Sequence, residues 1–423
     1  MFGHLGQIDP PVQQVIDGAL RQAVERIGET VLAARRHLHA HPEPSGEETE
    51  TTRFLADRLR RAGLPVRLLT RGSGLWTDCE LGPVTETTPR IALRADIDAL
   101  RIQDEKEVPY RSQYAGLAHS CGHDAHAAIV LGTALVARQL PAAAHQWQGP
   151  PVRLRFLFQP AEESCEGARW MIEQGALEGV DAILGVHVDP ERTAGTVGIR
   201  YGVLTAYCDE LDVLIDGRGG HAARPHHTID PIAAAVQLVG AWYQLVPRSI
   251  DSREPHVLTI GKIAGGSAPN VIPQCVELRG SLRTVSDAAR VRLKRRIEQI
   301  AQGVADATGA RIHVRFLNPL PAVVNAPLPT AALHYASVTV LGADQVEILE
   351  APSMGGEDFS LYLSHVPGAM LRLGCARPGI PDWPLLHSPL FDIDESALPI
   401  GVRILLSAAL VLAGNLTHGA PSR

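Results

Sequence analysis

The residues able to do chemistry in this chain gather in a few short segments. The first is His119, Ser120, Cys121, Gly122, His123, Asp124, Ala125, His126, a glycine-containing turn that opens a helix. A cysteine and a histidine two residues apart in such a turn can face one ion, and thiolate with imidazole favours zinc or a similar transition metal. Taken alone, the segment is equally a helix start in which Asp124 complements the N-terminal dipole and Cys121 packs as a small hydrophobe. The second is Glu162 and Glu163, after an apolar run stopped at Pro160. Adjacent carboxylates cannot point the same way, so one can hold a metal while its neighbour takes a proton from the metal's water. An isolated pair of glutamates is more often a solvated turn, and only the company of Cys121, His123 and His187 reverses that. His187 follows a buried run and by itself reads as a core histidine satisfied by backbone. His387, in the loop Leu386, His387, Ser388, Pro389, says nothing alone.

The elements that must position these residues alternate. Strand-like runs at 91–94, 152–158, 182–188 and 370–373 are separated by helix candidates at 50–62, 124–140 and 165–175. That alternation predicts an α/β domain with a mostly parallel sheet flanked by helices. Three of the strands lead directly into polar groups: the first into Asp96 and Asp98, the second into Glu162 and Glu163, the third into His187. Ligands of open α/β sheets gather outside the carboxyl ends of strands, so this convergence means more than any one motif.

Between Tyr207 and Phe316 the pattern changes to strand 208–215, helix 230–246, strands 256–263 and 275–284, helix 287–307 and strand 311–316. This βαββαβ order is the ferredoxin-like split unit. We therefore divide the chain into a catalytic domain at 1–204 and 318–423, interrupted by an inserted α+β lid or dimerisation domain at 205–317. No internal repeat is seen, and 141–151 reads as a surface loop.

Other segments are weaker signals. Gly217, Arg218, Gly219, Gly220, His221, Ala222 matches a dinucleotide-binding pattern, but no acid near position 240 is placed to hold a ribose. The glycines fit better as a tight loop carrying His221. Arg283 lies on the polar face of an alternating strand, as a solvated charge or as a clamp for a carboxylate. His37, His39 and His41 close a helix, where imidazoles suit the C-terminal dipole without an ion.

Composition excludes several classes. In 423 residues, 39 Lys plus Arg against 46 Asp plus Glu give a net charge of −7, with 45% hydrophobic residues. This is a globular composition without the basic footprint of a nucleic-acid-binding protein. The N-terminus does not read as a secretory signal, and the apolar stretches 127–137 and 404–414 are shorter than the roughly 20 residues of a membrane span. The expectation is a cytoplasmic protein with neither nucleic-acid nor membrane partners. Cys79, Cys121, Cys165, Cys208, Cys275 and Cys375 are too scattered for a disulfide framework.

From Arg36 to Leu398 the chain resembles the M20 metallopeptidases, in their amidohydrolase branch of aminoacylases, hippurate hydrolases and auxin-conjugate hydrolases. The resemblance rests on HPEPSGEETET, LRADIDAL, HSCGHDAH, FQPAEE, GVHVDP, GGHAARPH, APNVIP, GSLRT, MGGEDFS and HSPLFDIDESAL, in that order. It implies two divalent ions per subunit (zinc, manganese, cobalt or nickel), with Cys121 bridging and His123, Glu163, His187 and His387 completing the ligands. It implies Glu162 as general base and Asp98 as a carboxylate orienting the site. His221 is implied to reach a neighbouring subunit's site and stabilise the oxyanion, hence a homodimer. Asn270 and Arg283 are implied to hold the substrate's free carboxylate. Ser120 and Gly356 depart from the commoner alanine and serine. The implied activity is hydrolysis of N-acyl amino acids or small peptide-like amides. The competing classes are a non-catalytic metal-binding or interaction protein on the same scaffold, and a hydrolase using Cys121 as nucleophile. His123, two residues away, is poorly placed to serve Cys121 as an in-line base.

Overall fold

The computed structural model describes residues 10–140, 147 and 149–418. The N-terminal stretch through residue 9, and most of the expected loop at 141–151, lie outside them. The chain opens with helices α1 (Pro10–Ala40) and α2 (Thr49–Arg61) and strands β1 (Val66–Leu68), β2 (Leu75–Leu81) and β3 (Arg90–Asp96). Helix α3 (His123–Gln139), β4 (Val152–Gln159), α4 (Gly167–Glu173), β5 (Ala182–Thr193) and β6 (Val197–Ile199) follow. The middle holds β7 (Gly202–Val203), β8 (Tyr207–Asp216), β9 (Gly220–His221), α5 (Pro231–Leu245), β10 (His256–Ala264) and β11 (Val271–Ile272). It continues with β12 (Cys275–Thr284), α6 (Asp287–Thr308) and β13 (Arg311–Leu320). The last elements are β14 (Val324–Asn325), α7 (Pro327–Leu341), β15 (Val346–Ile348), α8 (Phe359–Leu363), β16 (Gly368–Ala376) and α9 (Ala397–His418).

The chain forms two compact units: Met1–Gly202 with Val324–Glu350 and Asp358–Arg423, and Val203–Val323 with Ala351–Glu357. The 351–357 segment, which the sequence reading leaves in the catalytic part, thus packs with the inserted unit.

In the larger unit an eight-stranded sheet runs β1-β2-β4-β3-β5-β16-β6-β15. Its centre is parallel, with β3 between β4 and β5 and β5 beside β16. These strands are almost continuously buried, as parallel strands covered on both faces must be. Outside that centre the pairing is mixed, and the edge strand β15 is parallel to β6. β1 pairs antiparallel with β2, β2 with β4, and β6 with β16, so the sheet is mixed. Helix α3 is buried through Ala137 apart from Leu135, and at Gly132 it meets α1 and α9 closely, where a Cβ would lie 2.7 Å from Val31 Cγ2 and 2.9 Å from Val402 Cγ2. α9 is long and apolar enough to cross a membrane, yet most of it is buried in the protein core.

The second unit is a four-stranded antiparallel sheet in the order β10-β12-β8-β13. Leu211, Val213, Ile215, Val276, Leu278 and Leu282 alternate onto the face covered by α5 and α6, around the fully buried Trp242. Local chemistry sets both helix starts. Asp230 accepts from the Ile232 and Ala233 N–H groups ahead of Pro231, and Ser286 accepts from Ala289 N–H.

Candidate active site and metal centre

The site is assembled where β3, β4 and β5 end. Past β3, the buried Asp98 accepts hydrogen bonds from Ser45 Oγ (2.7 Å) and Glu163 N–H (3.0 Å) on Oδ2. Its Oδ1 lies 3.0 Å from His123 Nδ1. Asp98 is ionised in this setting: burial opposes the charge, but hydrogen bonds from His123 and Ser45 hold the carboxyl below the usual range. His123 donates its Nδ1–H to Asp98, which turns Nε2 to the site; burial lowers the imidazole pKa, but the Asp96 charge and the Asp98 hydrogen bond raise it well above the ordinary value.

The turn before α3 needs its glycine. Gly122 has φ +85°, and a Cβ there would lie 2.3 Å from Val188 Cγ2. This close approach brings Cys121 beside β5, with its Sγ 3.8 Å from His187 Nε2. His187 donates from Nδ1 to Val188 O (2.7 Å), which leaves Nε2 as the bare nitrogen. Burial lowers the His187 pKa and pushes the Cys121 thiol up to about 12.

After β4, Ala161 takes φ +55°, and Glu162 and Glu163 diverge from there. Glu162 Oε2 is 3.8 Å and Glu163 Oε1 4.0 Å from His123 Nε2. Glu163 Oε1 is also 3.6 Å from Nε2 of the half-exposed His387. The His387 backbone (φ +64°) is tied by its N–H to Ser120 O at 2.7 Å.

Among the groups of ligand atoms lying within 4.8 Å of one another, three are drawn wholly from these residues: Cys121, His123 and His187; Cys121, Glu163 and His387; His123, Glu162 and Glu163; Asp96, His123 and His126 form a further one. Cys121 is common to the first two, an arrangement in which one sulfur can serve two ions. His123 Nε2 and Glu163 Oε1 are buried with no hydrogen-bond partner, so the donors fit a metal and are otherwise left unsatisfied.

The other three residues singled out from the sequence lie in the second unit. His221 is exposed, with Nδ1 accepting from Ala223 N–H (3.1 Å). It pairs with Val271 across β9 and β11, and Ala222 N–H donates to Asn270 O (3.1 Å), so the structure brings His221 and Asn270 together. Arg283, in β12, donates to Met354 O (2.9 Å). No α-helix follows the glycines directly: a single 3-10 turn at Pro225–His227 intervenes and α5 begins only at Pro231, unlike the strand–turn–helix of a dinucleotide site.

Several participants escape the sequence reading. His39 is not just a helix-end imidazole: its Nδ1 is 2.7 Å from Asp124 Oδ2, and Asp124 also pairs with the buried Arg35 (2.9 Å). Among the described residues, none of His37, His39 and His41 belongs to a group able to hold a metal. Glu48 braces the other side, its Oε1 accepting from Ala161 N–H at 2.7 Å. His119, which the sequence reading names in the HSCGHDAH segment without a role, is fully buried with neither ring nitrogen hydrogen-bonded, and burial lowers its pKa to about 4. A signal was available for one further group. Arg94 interrupts the apolar run of β3, and a buried arginine requires partners.

The sequence matches peptidase family M20/M25/M40 over residues 92–411. It is 38% identical to the N-acetyl-L-cysteine deacetylase of Bacillus subtilis over 87% of this chain and 84% of that protein. It is 35% identical to an IAA-amino acid hydrolase of Arabidopsis thaliana over 90% and 84% of the two chains. The crystal structure of a dinuclear metal-binding M20 peptidase from Bacillus subtilis superimposes with a TM-score of 0.78 at 32% identity, covering 92% of this chain and 99% of that one. The chain belongs to the M20 peptidase family and is a hydrolase of amide bonds.

Proposed function

We propose that the protein hydrolyses N-acyl amino acids, or small peptide-like amides with a free carboxylate, with Glu162 as general base. Cys121, His123, Glu163, His187 and His387 would hold two divalent ions, drawn from zinc, manganese, cobalt and nickel. The observation that carries this reading is the pair of ligand groups sharing Cys121, with Glu162 beside them and His123 Nε2 and Glu163 Oε1 lacking hydrogen-bond partners. When bound, such ions acidify water and polarise a substrate carbonyl.

The protein's own groups do the rest. Asp98 fixes the His123 tautomer, and Val188 O does the same for His187. Glu162 accepts the proton of the attacking water and returns it to the leaving nitrogen. His221 donates to the developing oxyanion of a neighbouring subunit, and Asn270 and Arg283 hold the carboxylate. A homodimer through the second unit is supported by its edge strand β10 and by exposed Ile232, Val236, Tyr243 and Ile263. We place the enzyme in the cytoplasm, acting on small molecules.

The test is Glu162→Gln, assayed on N-acetyl, N-benzoyl, indoleacetyl and dipeptide substrates. Metal content should persist while kcat falls by about 10²- to 10⁴-fold. Near-normal kcat would refute the base assignment, and loss of metal would mean that Glu162 and Glu163 have exchanged roles.

A further inference from the structure

A fully buried arginine stands behind the candidate site. Arg94 is 1% exposed in the middle of the sheet. Its Nε donates to Gln159 Oε1 (2.8 Å), Nη1 to Asp96 Oδ2 (2.6 Å) and Nη2 to Asp358 Oδ1 (2.8 Å). Asp96, Gln159 and Asp358 are themselves fully buried. Replacing buried ion clusters with apolar residues is often neutral or stabilising, so stability alone is a weak account of this one.

Both carboxylates lead to the site. Asp358 is locked by Gln159 Nε2 (2.9 and 2.8 Å) and by Ala168 N–H (3.0 Å), and its own N–H donates to Glu162 Oε1 at 3.4 Å. Asp96 Oδ1 lies 2.6 Å from His126 Nδ1, and His126 Nε2 accepts from Val188 N–H at 2.9 Å. His126 is therefore the Nδ1–H tautomer, and it holds the residue next to His187. A single guanidinium is thus one side chain away from Glu162 in one direction and two away from His187 in the other.

We propose that Arg94 is a positioning residue for the hydrolysis, setting Glu162 through Asp358 and His187 through Asp96 and His126. This rests on the reading of Glu162 as base and His187 as ligand. The planar fork is essential: a lysine ammonium keeps the charge but cannot serve three coplanar acceptors.

The experiment places Arg94→Lys in the wild-type and Glu162→Gln backgrounds, with folding checked by circular dichroism. In the wild-type background kcat should fall about 10- to 100-fold, as for other residues that support a metal site indirectly. KM should stay within about threefold, because no group that touches substrate is removed. In the Glu162→Gln background the substitution should cost almost nothing more in kcat, since no base remains to be set. Cobalt titrated into metal-stripped protein, followed by its thiolate absorption, should bind more weakly in both backgrounds. Unchanged kcat and cobalt affinity would overturn the proposal, as would equal kcat losses in both backgrounds, which would mark Arg94 as general scaffold. If Glu162→Gln alone proves fully active, the base assignment fails, and the cobalt titration still decides the His187 arm. Should Arg94→Lys not fold, Asp358→Asn replaces it: kcat should fall with cobalt affinity retained, and the reverse pattern would overturn the proposal.

Discussion

Replacing Glu48 with glutamine probes the charge layer supporting the site. Glu48 is fully buried at the start of α2, with Oε1 accepting from Gly46 N–H (2.9 Å) and Ala161 N–H (2.7 Å). Its Oε2 has no hydrogen-bond partner. Burial, then the nearby Asp98 charge, raises the carboxyl from an ordinary 4.5 to about 7, against the pull of the backbone donors. A carboxyl raised on folding binds its proton more tightly in the native state. The wild type therefore carries no penalty below pH 4.5, an increasing one between 4.5 and 7, and the full one above 7. At about 1.4 kcal/mol per tenfold, the full penalty is about 3 kcal/mol. Glutamine keeps the Oε1 acceptor and has no charge to desolvate. The stability of Glu48→Gln relative to wild type should thus rise by about 3 kcal/mol between pH 4.5 and 8, above any constant offset from the new amide. Urea unfolding of both metal-stripped proteins across that range measures it. A difference that stays flat with pH would show that Glu48 ionises normally and would refute the reasoning.

Gly122→Ala should destabilise the protein by more than the roughly 1–2 kcal/mol of a left-handed non-glycine residue, because the new Cβ also meets Val188; thermal melting and metal content report it, and a neutral substitution would contradict the geometry. Arg283→Ala should penalise free-carboxylate substrates over their amides by about 1.5–3 kcal/mol. Equal losses on both would assign Arg283 to bracing Met354 O alone. Mixing inactive His221→Ala and Glu162→Gln subunits under proven exchange should restore part of the activity, because one hybrid site then carries both defects and the other neither. A silent mixture would refute the shared site.

What the sequence by itself determined is what local rules govern. The runs at 91–94 and 152–158, apolar apart from Arg94, Arg153 and Arg155, mark central strands because a strand covered on both faces keeps no solvated face. Asp230 with Pro231, and Ser286, mark helix starts because the unpaired N–H groups are satisfied within a few residues. The βαββαβ order follows from counting elements, and the ligand segments are legible because glycine turns and strand ends carry local signatures. Tertiary structure alone decided the partnerships. The antiparallel pairings β1–β2, β2–β4 and β6–β16 depend on which strands meet, and the three-residue β1 and β6 carry little pattern of their own. Arg94 and Asp358 are 264 positions apart, and Glu48 and Ala161 are 113 apart. His39 reads as a helix end until Asp124, 85 residues away, is placed against it. Hydrophobic periodicity records only whether a position faces the core. Which buried charge neutralises which is set by the register of packed strands and helices, and so appears only once the chain is folded.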